Sequence, residues 1–239
     1  MSVRTADGIV LKGMLEYPET SPGTRYPLAV LAHQYPATGD SFGPLVEDLL
    51  DRGVACLAFD ERGHGASIMT ANGPLVIDTP EGFGADPFGV AFVSSAGRVG
   101  FQRIDNDILR VAGWGAAQNF IDADRILLVG ASVGGSGALL ISPLITGLRG
   151  VITLGAAGAP AFGSDGAIRI RAALESLDVP CLLSSSDADP FDGGENVKRW
   201  GHGLRHVTSR LVPGREHGMA IYYDVRDELL AFVTRCLFA

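Results

Sequence analysis

The chain has 239 residues, 46% of them hydrophobic and 19% charged, enough for one full-sized core and too apolar for a disordered segment. Its 19 Lys and Arg stand against 27 Asp and Glu, a formal net charge of −8 with the basic residues scattered, which argues against nucleic acid or an anionic membrane as partner. No run approaches the roughly eighteen apolar residues of a membrane span, and the opening MSVRTADGIVLKG lacks an apolar core of signal-peptide length; the expectation is one domain, residues 1–239, cytoplasmic, with a homodimer left open.

In chain order, SVRT and IVLKGMLEY read as strands joined by a turn at ADG. YPLAVLAH, 26–33, is a near-continuous apolar run of the sort buried on both faces of a sheet. After a Gly/Pro-rich loop, FGPLVEDLLDRG carries Leu45, Val46, Leu49 and Leu50 at helical spacing and stops at Gly53. The cycle repeats with VACLAFD as a strand, FQRIDNDILRVAGWGAAQNF as a helix and RILLVG as a strand. GGSGALLISPLI, GVITLG, AIRIRAALESL and VPCLLSSS continue the alternation, followed by a helix near NVKRWG, a strand in HVTSRLVPG and a closing helix in YYDVRDELLAFVTRCLF. This alternation predicts an α/β fold with a mainly parallel sheet and helices on both faces. Residues 68–100, with Pro74, Pro80 and Pro87 and little periodicity, read as an irregular insertion or lid.

The stretch LLVGASVGGSG, 127–137, contains Gly130-Ala131-Ser132-Val133-Gly134, the G-x-S-x-G form in which a serine occupies a strained turn between strand and helix. Alone it is weak, because Gly fills 32 of the 239 positions, but RILLV before it and GGSGALLI after it supply the strand and helix the turn requires. The competing reading is a glycine loop holding a dinucleotide pyrophosphate at a helix N-terminus. Three features count against it: the loop follows several strands and not the first, GVITLGAAG ends without a ribose-binding acid, and the only lysines, Lys12 and Lys198, form no Tyr-x-x-x-Lys pair.

A nucleophilic serine needs a base, and the base an orienting acid. VPCLLSSSDADPFD offers Asp187, Asp189 and Asp192 just beyond a strand, and RLVPGREHGMA places His217 in a Gly-flanked loop before the last helix. FDERGHGAS resembles the D-x-R-G-H-G-x-S run that follows the fourth strand of α/β-hydrolases, and AHQYPATG resembles the His-Gly loop after their third. The resemblance runs from about residue 26 onward, residues 68–100 excepted. It implies a central sheet of about eight strands without a large cap, since only about two dozen residues separate the sixth and seventh strands.

Carried over residue by residue, the resemblance makes Ser132 the nucleophile, His217 the base and Asp189 the acid, with Asp187 the alternative because Ser186 stands where Gly is common. The backbone N–H of Val133 matches one oxyanion donor; Gln34 replaces the usual glycine in the third-strand loop, so Tyr35 is the choice for the second donor and Gln34 the fallback. The implied activity is a serine carboxylesterase on small to medium soluble esters, requiring no cofactor or metal. Thioesterase, lactonase or peptidase chemistry with the same triad, or a non-catalytic binding module, are the alternatives. The strand pattern also resembles the branch with dienelactone hydrolases, whose nucleophile is usually Cys, so Ser132 departs from that branch.

Other polar residues read as structural. His33 and His64 lie in the family-like loops, where bracing is the expected role. His202 and His206 have i, i+4 spacing without the H-E-x-x-H carboxylate of a metal pair, and the acids at 187, 189 and 192 break the calcium-loop pattern at Pro190. Cys56, Cys181 and Cys236 sit in apolar segments and read as buried thiols. Phe83, Phe88, Phe92 and Phe101 either line an acyl pocket or pack the insertion onto the body.

Overall fold

A computed structural model describes residues 1–18, 23–82 and 85–239. The apolar runs become β1 (Ser2–Arg4), β2 (Val10–Glu16), β3 (Tyr26–Ala32), β4 (Ala55–Phe59), β5 (Ile121–Ala131), β6 (Leu148–Leu154), β7 (Cys181–Ser186) and β8 (Val207–Val212). Among the described residues these form one eight-stranded sheet in the order β1-β2-β4-β3-β5-β6-β7-β8. β2 runs antiparallel to β1 and β4, and every other neighbouring pair is parallel. The mainly parallel, helix-flanked sheet expected from the alternation is the observed one.

β3 is buried along its whole length because it meets helices on both faces. Leu28, Val30 and Ala32 of β3 join the core beneath α3 (Ile104–Ala116), α4 (Ser132–Ile141), α5 (Gly166–Glu175) and α6 (Gly193–Gly201). Ala29 and Leu31, pointing the other way, join the core beneath α1 (Gly43–Leu50) and α7 (Tyr222–Phe238). In α1 Leu45, Val46 and Leu49 are buried, as the spacing predicts, while Leu50 is half-buried against the same core. Among the described residues no helix is long and apolar enough to cross a membrane.

The strand order changes direction between β3 and β5. From β3 the chain moves outward through α1 to β4, then returns across β3 to place β5 on its other side. Loops leaving the carboxyl ends of β3 and β5 therefore diverge, and an open crevice forms at that point of the sheet.

The described parts of the segment 68–100, residues 68–82 and 85–100, are more ordered than their composition implies. After a small hairpin of Met69–Thr70 with Gly73–Pro74 comes α2 (Ala85–Ser95), ending in a wide helical turn, Ala96–Gly100. Phe88, Ala91, Phe92 and Ser95 occupy its inward face at helical spacing, with Ala91 and Ser95 buried. Its outer face carries exposed Val90 and Val93, so no polar contrast marks the period in the sequence. Phe101 is wholly buried and packs against Tyr35, His64 and Phe92, while Phe83 lies outside the described residues.

The loop after β4, DERGHG, is a brace. Asp60 accepts the N–H groups of Gly39 and Ala66 at 3.0 and 2.8 Å. Arg62, 1% exposed, donates from Nε and Nη2 to the two oxygens of Asp107 on α3 at 2.6 and 2.9 Å, and from Nη1 to Asp7 at 2.9 Å. Removing one partner of such a buried pair strands the other charge. Asp107→Ala should therefore lower unfolding free energy by about 3 kcal/mol, read from urea denaturation.

Glu61, in the same loop, is wholly buried and neither carboxyl oxygen has a hydrogen-bond partner among the described residues. Burial, then the nearby Asp107 carboxylate, hold its pKa well above the ordinary 4.5. The folded chain keeps this proton while the unfolded chain releases it, so the cost to stability grows as pH rises above 4.5 toward the folded-state value. Glu61→Gln should gain on the wild type with rising pH, by at most about 1.4 kcal/mol per pH unit, checked by denaturation between acid and neutral pH.

Candidate active site

β5 passes directly into α4 at Ser132, whose φ of 51° is left-handed and unfavourable for a residue with a side chain. The turn is tight enough that a Cβ at Gly130 would lie 2.5 Å from the Gly135 Cα, and one at Gly134 would strike the carbonyl oxygens of Ala32 and His33 at the end of β3. The two glycines thus let α4 start against the neighbouring strand. Ser132 is left 7% exposed at the head of the helix, beside the first-turn N–H of Val133, which has no acceptor within the helix.

Asp189 follows β7 and its side chain is fully buried. Its Oδ1 accepts the N–H of Phe191 at 2.9 Å, and its Oδ2 accepts the Ser185 hydroxyl at 2.9 Å. His217, in the loop after β8, brings Nδ1 to 2.9 and 2.8 Å from the same two oxygens. Asp187 does not join them: it is exposed and accepts the N–H of Gly214 at 3.1 Å. Two of the expected residues, Asp189 and His217, are therefore in direct contact.

Ser132 and His217 are not joined by a hydrogen bond. His217 Nε2 is buried and has no partner among the described residues. What links the two parts is the loop after β6. Ala157 donates its N–H to the Ser132 carbonyl at 3.2 Å, while Gly155, at φ 59°, lies against the other pair: a Cβ there would be 3.2 Å from both Asp189 Oδ2 and His217 Nδ1. Ser185 and Gly155 escaped the sequence reading. A hydroxyl two residues before the DADP run and a glycine just after β6 were the available signals.

The loop after β3 forms another wall. His33 is buried and neutral: its Nε2 accepts the Glu61 N–H at 2.9 Å, and its Nδ1 donates to the Gln34 carbonyl at 2.9 Å. Burial, with His64 nearby, holds its pKa down to about 3, and burial lowers that of His64 to about 4. The Gln34 carbonyl also accepts the Ala37 N–H at 2.8 Å. Across a planar trans peptide, C=O and N–H point in opposite directions, so this anchoring turns the Tyr35 N–H away from His33. The Gln34 side chain reaches across to the Met219 N–H at 3.4 Å, tying this loop to the one that carries His217. The Tyr35 hydroxyl donates to the Asp78 carbonyl at 2.5 Å.

Two cavities meet here. One, of about 330 Å³, is lined by Ser132, Phe92, Gly158, Pro160 and Asp192 among others. The second, of about 630 Å³, runs past His217, Gln34, Pro36 and Arg215. Tyr35, Phe88, Pro190 and Phe191 wall both. The Phe191 ring centre is 4.7 Å from that of His217 and 4.6 Å from that of Phe88. Helix α2, through Phe88 and Phe92, thus roofs the serine. His202 ends α6 and His206 precedes β8, bonded to the Leu174 carbonyl, so they share no helical face. Among the described residues no three His, Cys, Asp or Glu side chains are grouped to share a metal ion.

No protein-family model and no curated protein matches the sequence. Solved structures do match over nearly the whole chain. Est1E from Butyrivibrio proteoclasticus with ferulic acid bound superposes at a TM-score of 0.69 and 18% identity, covering 98% of this chain and 99% of that one. A dienelactone hydrolase from Anabaena variabilis gives 0.66 at 17% identity, covering 99% and 96%. The esterase EaEST from Exiguobacterium antarcticum gives 0.63 at 15% identity, covering 100% and 99%. With its eight-stranded, mostly parallel sheet, its flanking helices and these neighbours, the chain has the α/β-hydrolase fold.

Proposed function

We propose that this protein is a serine hydrolase that cleaves carboxylic esters of small to medium soluble substrates through an acyl-enzyme. The observation that carries the reading is the Asp189–His217 pair at 2.8 and 2.9 Å, its far imidazole nitrogen unpartnered among the described residues, with a serine on a left-handed strand-to-helix turn in the adjoining cavity. The hydrolase and esterase neighbours support the same class of reaction.

In this reading Ser132 Oγ comes within about 2.8 Å of His217 Nε2, a contact that substrate binding must complete. Oγ attacks the ester carbonyl carbon as its proton passes to Nε2, and Asp189 stabilises the resulting imidazolium and fixes its orientation. The N–H groups of Val133 and Tyr35 face the developing oxyanion; one such donor contributes on the order of 3 kcal/mol. The tetrahedral adduct collapses, the bond to the alcohol oxygen breaks with its electron pair on oxygen, and His217 returns the proton to that oxygen. Water then attacks the acyl-enzyme, gives a proton to His217, and the acid departs as Ser132 is reprotonated.

The anchoring of Asp189 by Ser185 and the Phe191 N–H holds its carboxylate toward the imidazole, so its loss is felt as misorientation of the base. A fluorophosphonate probe should label the wild-type protein and leave folded Ser132→Ala unlabelled; equal labelling of both would remove the nucleophile assignment. Asp189→Asn should lower kcat for a p-nitrophenyl ester by a factor on the order of 10³ to 10⁴. Asp187→Asn should change kcat little, and the opposite ranking would exchange the two acids.

A further inference from the structure

The two cavities differ in charge, and the difference is directional. Among the lining residues of the Ser132 chamber the only charged side chain is Asp192; among those of the His217 cleft the only permanently charged one is Arg215. Within the described residues no hydrogen bond or ion pair engages the Arg215 guanidinium. Its neighbouring acids are occupied elsewhere: Glu216 Oε2 accepts the Arg215 backbone N–H at 2.9 Å, and Asp187 accepts that of Gly214 at 3.1 Å. The remainder of the cleft wall is largely apolar, formed by Tyr35, Pro36, Ala37, Phe88, Pro190 and Phe191.

Mechanism assigns the cavities to the two halves of an ester, on the serine-hydrolase reading above. The acyl carbon becomes bonded to Ser132, so the acyl group occupies the chamber that holds Ser132. The leaving oxygen must be protonated by His217, so the alcohol half lies along the cleft that holds His217. Phe88, Phe92 and Phe191 make the acyl chamber apolar, and the Asp192 carboxylate at its edge repels an anionic acyl group. Arg215 lies two residues before His217 and lines the same cleft, where the part of the alcohol beyond the ester oxygen would extend.

We propose that Arg215 is a specificity-determining residue that recognises a carboxylate on the leaving alcohol or phenol, making the preferred substrates esters of an apolar acyl group with an anionic alcohol. A planar guanidinium matches a carboxylate with two parallel hydrogen bonds, and in a protein of net charge −8 such a local cation is what makes an anionic substrate acceptable.

The test compares butyrate esters of meta-carboxyphenol and meta-carbamoylphenol, whose leaving groups have similar shape and differ in charge. In Arg215→Gln the ratio of kcat/KM for the acid over the amide should fall about tenfold from its wild-type value, with a smaller fall in Arg215→Lys and a preference that weakens with added salt. An unchanged ratio in Arg215→Gln, with both esters cleaved, overturns the assignment and leaves the hydrolase reading intact. Calorimetry with the product-like meta-hydroxybenzoate and meta-hydroxybenzamide requires no turnover. Wild-type preference for the acid that disappears in Arg215→Gln supports the site, and equal binding of both compounds by the wild type overturns it. If neither ester is cleaved, the hydrolase reading falls separately and the calorimetric comparison alone decides the role of Arg215.

Discussion

The approach of α4 to the end of β3, so close that Gly134 has no room for a side chain, is the contact from which the rest of the site follows. It forces the chain to turn within one residue of leaving β5, and that residue is Ser132 at φ 51°. A left-handed serine costs on the order of 1–3 kcal/mol. The apolar strands beneath the turn offset it: Leu28 and Val30 of β3 and Leu128 of β5 are all buried in the same core. Strain in the serine backbone is thus held by the packing of the sheet beneath it.

Around that turn the protein separates its charges by function. Arg62, Asp107 and Asp7 neutralise one another beneath the loop after β4, and Asp60 is engaged by backbone N–H groups. His33 and His64 are buried deeply enough to remain neutral, so they serve as hydrogen-bonding spacers that hold the β3 and β4 loops together. His217 has a different neighbour: its Nδ1 faces a carboxylate that is itself held by a hydroxyl and a backbone N–H. The same side chain is a brace in two places and, in the proposed mechanism, the proton carrier in the third, and the neighbours decide which.

Where the sequence was hard to read, the reasons are physical. Helix α2 was hidden because Val90 and Val93 make its outer face as apolar as its inner one. Asp187 and Asp189 follow the same strand and look equivalent in a string of letters. In space, the Asp187 N–H extends the ladder to the Val212 carbonyl while its carboxylate holds Gly214, whereas Asp189 lies beyond the ladder and turns back onto Ser185 and His217. The Gln34 position, unusual against the family-like loop, acquires a reason only when its side chain is seen reaching Met219.

Taken alone, the order of residues determined the alternation of strands and helices, their approximate bounds and the turn at Ser132, because hydrophobic period and glycine placement are local properties of the chain. Tertiary structure decided which acid meets His217, how α2 roofs the serine, and that the cavity on one side of Phe191 carries a cation and the other a carboxylate. Those outcomes depend on which strand ends become neighbours in the sheet, and residues as far apart as Gln34 and Met219 come together only through the reversal of strand order at β3 and β5.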